Sequence, residues 1–208
     1  MNSDEFIATV RDESETELSR LGSSKSLYAD TAGEMDEEAV LTAAATAEYH
    51  AAEVYEEWAE TASGAVAEAF EKTAAEEREH YETVVGELDE HEPGAVPAIG
   101  AYLRDLDDTA ERLGGFVGRT IAAEASKQQV IGFFVGNADP QTAQLFRSMG
   151  GDLDAQMERA TELLEAECGD DEACWERALA AATAAIGAAY GEYVDALESM
   201  GVNPKPVC

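Results

Sequence analysis

Apolar residues recur at helical spacing along the chain, in long stretches separated by short groups of glycine, proline and serine. Residues three and four apart lie on one face of an α-helix, so each stretch predicts an amphipathic helix. No long stretch alternates apolar and polar residues as a half-buried strand does. The sequence therefore predicts an all-α protein.

Four of these stretches predict the core of a four-helix bundle. They cover about 36–61, 65–90, 116–136 and 140–168. Ser63 and Gly64 separate the first two, and a turn this short makes the two helices antiparallel neighbours. The segment 92–97 contains two prolines and a glycine, so it predicts the long crossover between two hairpins.

Two further helices are predicted to flank this core, at about 3–21 and 172–200. Residues 25–32 predict a short connecting turn, and residues 98–113 a helix within the crossover. A chain of 208 residues with 45% apolar content can form one sizeable core without demanding a second. We expect a single domain over 1–208, with the last helix packed outside the four-helix core.

The chain is strongly acidic, since 45 acidic and 13 basic residues give a net charge of -32. Such a surface repels phosphate backbones, so we expect no nucleic-acid partner. Self-repulsion destabilises a compact state unless salt screens it, and a salt-loving cell is the simplest setting. High net charge also favours disorder, but the regular helical periodicity argues against disorder here.

The apolar stretches are too rich in alanine to supply the roughly 20 strongly apolar residues of a membrane span. The N-terminus lacks the pattern of an export signal, so we expect a soluble, cytoplasmic protein without a membrane partner. The cytoplasm favours free thiols at Cys168 and Cys174, although their spacing allows a disulfide. Together with Cys208 they form no Cys-x-x-Cys pair, which excludes a zinc or rubredoxin-like iron site.

Three carboxylates and one imidazole lie on the apolar stripes of three predicted core helices: Glu48, Glu77, His80 and Glu124. Burying an ionised group is costly unless a counter-charge or a metal ion accompanies it. Glu77 and His80 are three residues apart and point the same way, so both can ligate one ion. Glutamates and Glu-x-x-His motifs on facing helices are typical of metal sites inside four-helix bundles.

Two segments resemble the rubrerythrin branch of the ferritin-like superfamily. Residues 48–55 match its Glu-x6-Tyr pattern, and residues 69–80 are similar to the signature of its second helix. The resemblance covers residues 40–88 well and residues 116–165 only weakly. It implies a ferritin-like four-helix bundle, a homodimer, and a carboxylate-bridged di-iron site that reduces peroxide.

The resemblance places four residues at ligand positions: Glu48, Glu77, His80 and Glu124. The expected cofactor is one or two iron ions, with another divalent metal as the alternative. Tyr55 is the candidate catalytic residue, either as a hydrogen-bond donor to a ligand carboxylate or as a one-electron donor. Ordinary packing is the alternative role of Tyr55.

The second half of the chain departs from the family pattern. Lys127 stands where the family has the second glutamate of Glu-x-x-Glu, so an ammonium replaces a carboxylate. Leu153 and Gln156, or Asp154 and Gln156 in a shifted alignment, replace the second Glu-x-x-His. We expect Lys127 to neutralise Glu124 and to take the place of a second cation, which favours one metal ion over two.

Four polar residues are expected beside the ligands: Lys127, Gln128, Gln156 and Asp154. A buried polar network of the same side chains without metal is the alternative. His50 falls about 200° around its helix from Glu48, which predicts a position on the outside.

These patterns support two functions of different classes. The first is a non-haem iron oxidoreductase that acts on hydrogen peroxide or oxygen in oxidative-stress defence, with electrons from an unidentified donor. The second is a non-catalytic protein in which the site is a stabilising network or a metal buffer. A third interpretation uses three aromatic residues of the last helix as a dimer face: Trp175, Tyr190 and Tyr193.

Overall fold

The computed structural model describes residues 1–205, so Cys208 lies outside the described residues. Within this range the chain forms nine α-helices and no strand, which confirms the all-α prediction. The helices are α1 (Ser3–Glu13), α2 (Glu15–Leu21), α3 (Ser24–Asp30), α4 (Glu37–Thr61), α5 (Gly64–Val85), α6 (Ala98–Arg104), α7 (Thr109–Gly136), α8 (Pro140–Cys168) and α9 (Glu172–Ser199). In residues 1–205, no helix combines the length and hydropathy that crossing a bilayer requires. The architecture is consistent with a ferritin-like helical bundle.

Helices α4 and α5 pack extensively against each other as a hairpin. Asp36 begins α4 by accepting a hydrogen bond from the Ala39 N–H, as N-cap residues do. Ser63 and Gly64 make the tight turn between the helices, and Gly64 has a φ of 59°, which favours glycine. The turn brings the inward faces of α4 and α5 together.

Helices α7 and α8 form a second packed pair, and α8 also contacts α5. The Asp108 carboxylate accepts two backbone N–H groups at the start of α7. Asp139 does the same at the start of α8, where Pro140 occupies the first turn. The four helices α4, α5, α7 and α8 carry the side chains of a buried polar centre. Its residues are Glu48, Glu77, His80, Arg119, Lys127 and Gln156.

The start of α7 differs from the prediction, because the helix begins at Thr109 rather than at residue 116. Gly114 and Gly115, which separate the predicted helices 98–113 and 116–136, lie inside α7. A Cβ atom on Gly114 would collide with the carbonyl group of Ala178, and one on Gly118 with that of Ala182. These glycines are packing positions, since they let the backbone of α9 approach α7 closely.

Helices α8 and α9 are joined by a disulfide between Cys168 and Cys174, so the prediction of free thiols is wrong. Gly169 reverses the chain with a φ of 49°, and Asp171 caps the start of α9. This turn brings the two Cα atoms to 5.3 Å, within the range that a disulfide spans. The Trp175 indole donates a hydrogen bond to the Gly169 carbonyl and closes the same turn.

The aromatic residues of α9 cover the bundle. Trp175 and Tyr193 are 2% and 3% exposed, and Tyr190 is partly buried. Trp175 packs against Phe6, and the Tyr193 hydroxyl donates to the carbonyl of Pro204. Trp175 and Tyr193 are therefore not available as a dimer face.

The N-terminal region also differs from the prediction. The single helix expected over 3–21 is interrupted at Ser14, whose ψ of 19° departs from helical geometry. Residues 25–32, expected as a turn, mostly belong to α3, which buries Leu27 and Ala29. A buried apolar face stabilises even a short helix, and this contribution does not appear in the local pattern.

Two apolar clusters lie on either side of the polar centre. Along α4, Val40 belongs to one cluster and Val54 to the other, with Glu48 between them. Along α5, Ala74 and Val84 are divided in the same way around His80. The polar residues therefore form a layer across an otherwise apolar interior.

Candidate metal centre

Three of the four predicted ligands meet in the interior: Glu48, Glu77 and His80. Glu48 lies in the middle of α4, and the other two lie one turn apart on α5. Their exposed fractions are 3%, 0% and 3%. All three occupy the apolar stripe of an amphipathic helix, and such a stripe faces the core.

The donor atoms of these residues converge. His80 Nδ1 lies 3.8 Å from Glu48 Oε2 and 3.7 Å from Glu77 Oε2. One donor atom from each residue lies within 4.8 Å of the others. Within residues 1–205, Glu48 Oε2 and His80 Nδ1 have no hydrogen-bond partner. Buried polar atoms without a partner are rare, and this group has the atoms and spacing to bind a metal ion.

His80 is held from its other side by Asp152. His80 Nε2 lies 2.9 Å from Asp152 Oδ2. An ionised carboxylate only accepts hydrogen bonds, so Nε2 carries the hydrogen. Nδ1 is then directed to the two glutamates, an arrangement that metal-binding histidines share.

Two buried cations neutralise the two glutamates. The Arg119 guanidinium donates to both oxygens of Glu77, at 2.7 and 3.0 Å, and lies 3.6 Å from Glu48 Oε2. The Lys127 ammonium donates to Glu48 Oε1. The Gln156 amide donates to Glu77 Oε1 at 2.9 Å. Arg119 and Lys127 therefore supply one positive charge for each of the two buried glutamates.

This arrangement keeps Glu77 ionised. Burial favours the neutral carboxylic acid, but the charge of Arg119, with smaller contributions from His80 and Lys127, outweighs burial. The pKa of Glu77 is therefore well below its ordinary value. In return, Glu77 raises the pKa of Arg119 above its ordinary value, although burial acts in the opposite direction.

In the absence of metal, the surroundings of His80 favour its protonated form. Burial lowers the pKa of His80, but the neighbouring carboxylates of Glu48 and Glu77 outweigh burial and raise it to about 10. A metal ion bound at Nδ1 would therefore displace a proton.

The glutamates and histidine of the centre belong to one segment of the chain, which runs through α4, α5 and most of α6. Residues 39–102 match the rubrerythrin family model. The match covers about a third of the chain and confirms the predicted rubrerythrin-type resemblance for this segment. Comparisons with curated proteins and with solved structures gave no match.

The rubrerythrin-like segment, residues 39–102, supplies all three potential metal ligands. The groups that contact them come from α7 and α8, beyond this segment: Arg119, Lys127, Asp152 and Gln156. The family-like part of the chain therefore provides the donors, and the remaining part provides their counter-charges and hydrogen-bond partners.

Glu124, the fourth predicted ligand, does not reach the centre. Its side chain is 51% exposed, and its carboxylate accepts a hydrogen bond of 2.6 Å from Arg11. Lys127 pairs with Glu48, so the prediction that it neutralises Glu124 is wrong. The rubrerythrin-like ligand set thus lacks a carboxylate from α7 in the described residues.

From about the midpoint of α7 onward, the residues that face inward lie one position earlier in the chain than predicted. The face that meets the centre carries Arg119 and Lys127, with Ala123 between them. Glu124 lies about 100° away from Ala123 around the helix. Glu124 and Gln128, which were predicted to face inward, are exposed. The first half of α7 is buried almost all round, between α8 and α9, so its apolar residues do not define one stripe.

The two predicted neighbours from α8 have different positions. Gln156 is buried and contacts Glu77, as expected. Asp154 is exposed and makes no hydrogen bond to the centre within the described residues. Asp152, two residues earlier, is the aspartate that reaches His80.

Tyr55 is fully buried beside the centre. Its ring packs against three aromatic side chains: Trp58, Phe70 and Phe116. Its hydroxyl has no hydrogen-bond partner among residues 1–205, and burial raises the pKa of Tyr55. These contacts give Tyr55 a packing role, and its catalytic role stays a prediction.

Arg119 and Asp152 belong to the centre but were not predicted from the sequence. Arg119 carried a usable signal, because it is the one charged residue in the otherwise apolar and small stretch 113–123 of α7. A lone charge in such a stretch indicates a buried partner. Asp152 carried no comparable signal, since it is one of many acidic residues on an exposed face.

His50 is buried, so the prediction that it lies outside is wrong. Its Nε2–H donates to the Gly94 carbonyl at 2.9 Å, which ties the crossover segment to α4. His91 lies in that segment and contacts Thr46 and Tyr81. The crossover covers a side of α4 that the local pattern marks as exposed.

Proposed function

We propose that this chain binds one divalent metal ion, iron in the first place, between Glu48, Glu77 and His80. The observation that carries the proposal is the orientation of His80. Asp152 accepts the Nε2 hydrogen, and Nδ1 faces two buried carboxylates. Iron is the metal that the rubrerythrin resemblance implies.

The donor set fits one ion. Two carboxylates and an imidazole suit iron and similar divalent metals. Donors about 2.1 Å from one ion are about 3.0 to 3.6 Å apart at common coordination angles. His80 Nδ1 lies 3.8 Å from Glu48 Oε2 and 3.7 Å from Glu77 Oε2, so these two separations are only slightly wide. A bound ion would also satisfy Glu48 Oε2 and His80 Nδ1, which otherwise lack partners.

The donor set does not fit two ions. Lys127 donates a hydrogen bond to Glu48 Oε1, and Arg119 donates to both oxygens of Glu77. Their positive charges would repel a second cation in a buried site. Leu153 is apolar and stands where an aligned second half-site would need a ligand, so it offers no donor.

The protein side chains around the ion have separate roles in this proposal. Glu48, Glu77 and His80 hold the metal, and Asp152 fixes the orientation of the imidazole. Arg119 and Lys127 keep the carboxylates ionised and in place. Bound iron would supply the electron chemistry for reduction of hydrogen peroxide or oxygen, which we propose as substrates, with a separate electron donor.

A second candidate function is a metal-free structural network. The charge balance favours it, because Arg119 and Lys127 already neutralise Glu48 and Glu77. A divalent ion would add positive charge to a buried layer whose two glutamates are already neutralised. In this case the bundle keeps the fold for stability or for protein interaction.

Metal analysis separates the two candidates. The wild type, His80→Ala and His91→Ala would be purified at high salt, loaded with Fe²⁺ without oxygen, and analysed for metal after gel filtration. His91 is the matched control, since it lies in the crossover and outside the three-residue donor group. We expect about one iron per chain in the wild type and His91→Ala, and none in His80→Ala.

Two results contradict the metal proposal. The first is a folded wild type that retains no Fe²⁺, Mn²⁺ or Zn²⁺, and the second is equal retention by His80→Ala. A chelator-insensitive unfolding midpoint in that protein would support the structural network. Hydrogen peroxide consumption by the iron-loaded wild type tests the oxidoreductase step separately from binding.

A further inference from the structure

A cavity of about 600 Å³ opens between α3, α4, α6, α7 and α9. Its wall is mainly apolar and includes twelve alanines, among them Ala43, Ala47, Ala51, Ala122, Ala189 and Ala196. These small side chains leave space between the helices that larger residues would fill. Sites for small organic molecules occupy about 300 to 1,000 Å³ and are mostly apolar, so this cavity has the size of a ligand site.

Charged side chains of both signs line the cavity. Glu48, Arg119 and Lys127 of the metal centre line it, and each of these cations is already paired. Asp30 and Glu192 line it as well. An anionic ligand would meet these two carboxylates, and the cations that could attract it are already neutralised.

Asp30 and Glu192 have no cationic partner within residues 1–205. Asp30 accepts only a long hydrogen bond of 3.4 Å from the Ser26 hydroxyl, and Glu192 accepts from the backbone N–H of Ala98 at 3.0 Å. Both side chains are solvent-accessible and both line the cavity, although many protein atoms surround Asp30. Burial, and then the charge of Glu192, raise the pKa of Asp30 to about 7.

We propose that this cavity binds an apolar amine, with its ammonium group between Asp30 and Glu192 and its hydrocarbon part along the alanine wall. A cation there would relieve the repulsion between the two carboxylates. The net charge of -32 also concentrates cations near the chain and disfavours anions. This inference goes beyond the proposed function and does not depend on a bound metal.

Calorimetric titration of chelator-treated protein tests the proposal with three probes of one chain length. They are n-octylamine, 1-octanol and octanoate, which differ in the charge of the head group. We expect saturable binding of one octylamine per chain, with an affinity at least about tenfold above that of octanoate. Absence of saturable octylamine binding, or an equal affinity for octanoate, would overturn the proposal.

Cavity-filling variants locate the site. Phenylalanine at Ala43 or Ala189 would occupy the space between the helices, whereas Ala155 lies on the exposed face of α8. We expect Ala43→Phe and Ala189→Phe to lose octylamine binding and Ala155→Phe to keep it. If all three variants bind equally, the amine is held elsewhere and the proposal fails.

Charge-neutral variants test the head-group contact. Asp30→Asn and Glu192→Gln keep one acceptor oxygen in each side chain and remove its charge. The double variant should lose the preference for octylamine over 1-octanol, while Glu162→Gln on the exposed surface of α8 should retain it. An unchanged preference in the double variant would contradict the placement of the ammonium group.

Discussion

At the scale of single residues, burial makes each charge of the centre dependent on its partner. Arg119 and Glu77 are 7% and 0% exposed, and two hydrogen bonds join them. A buried pair of this kind contributes little compared with apolar residues of the same size, but removal of one partner leaves an uncompensated charge. The centre therefore tolerates paired changes better than single ones.

Arg119→Met should lower the free energy of unfolding by about 3 to 5 kcal/mol, because it leaves Glu77 buried without its main counter-charge. Denaturant unfolding measures this loss. The double variant Arg119→Met with Glu77→Gln should recover part of it, since no charge is stranded. Arg11→Met removes an exposed pair with Glu124 and should cost less than about 1 kcal/mol.

The pair of Arg119 variants can also contradict this account. A loss below about 1 kcal/mol in Arg119→Met, comparable to that of an exposed pair, would mean that water reaches the carboxylate. Equal stability of the single and double variants would mean that Arg119 acts through packing and not through its charge.

The contribution of Asp30 to the free energy of unfolding depends on pH, and the uncharged variant Asp30→Asn reveals this dependence. Its pKa is about 7 in the folded chain and 3.8 as the ordinary value, so the folded state holds the proton over this interval. The contribution of Asp30 to stability therefore falls as pH rises from about 4 to 7, and then levels off. Asp30→Asn should gain stability relative to the wild type over that window.

Denaturant unfolding of both proteins at several pH values, at constant high salt, checks this expectation. The comparison is made as a difference, because the other carboxylates of this acidic chain titrate in both proteins. A difference in the free energy of unfolding that stays constant between pH 4 and 7 would show that the surroundings of Asp30 do not raise its pKa.

At the scale of helices, the contact between α7 and α9 depends on glycines. The backbone of α9 approaches Gly114 and Gly118 so closely that a Cβ atom has no room. Gly132 lies on the same helix, and apart from its adjacent residues and the local helix backbone no atom of residues 1–205 lies within 4 Å of a Cβ placed there. The three glycines share a sequence context of helix interior but differ in what they face.

Gly118→Ala should lower the free energy of unfolding by about 1 to 3 kcal/mol, since the added methyl group forces α9 away from α7. Gly132→Ala should raise it by up to about 1 kcal/mol, because alanine favours the helix and meets nothing. Thermal or denaturant unfolding of the two variants measures both the expected loss and the expected gain in stability. Stabilisation by Gly118→Ala would show that the helices separate at no cost.

At the scale of the whole molecule, the net charge of -32 dominates the response to salt. The screening length falls from about 10 Å at 0.1 M salt to about 3 Å at 1 M. Repulsion between the many exposed carboxylates therefore weakens as salt is added, whereas the buried ion pairs change little.

The melting temperature should rise with salt from 0.1 M to above 1 M, by about the same amount in sodium chloride and potassium chloride, because screening depends on ionic strength. Differential scanning calorimetry of the wild type in both salts checks this. A melting temperature that does not change with salt would mean that the surface charges are too well spaced to destabilise the fold.

The sequence by itself determined the features that depend on local periodicity. Glu48, Glu77 and His80 lie on apolar stripes, and a stripe faces inward whatever the helix packs against, so their burial and meeting were predictable. The short turn after α4 and the all-α class follow from breakers and spacing in the same way. These inferences need only the geometry of one helix or one turn.

Only the tertiary structure decided which side chains pair within the centre. Lys127 neutralises Glu48 and not Glu124. The apolar stripe of α7 suggested Glu124 as a ligand, but this helix contributes the cation Arg119 to the centre instead. The face of α7 that points to the centre could not be predicted, because neighbouring helices on more than one side bury its first half. The disulfide, the inner position of His50 and the cavity likewise depend on how separate segments approach, which a pattern read along one chain does not contain.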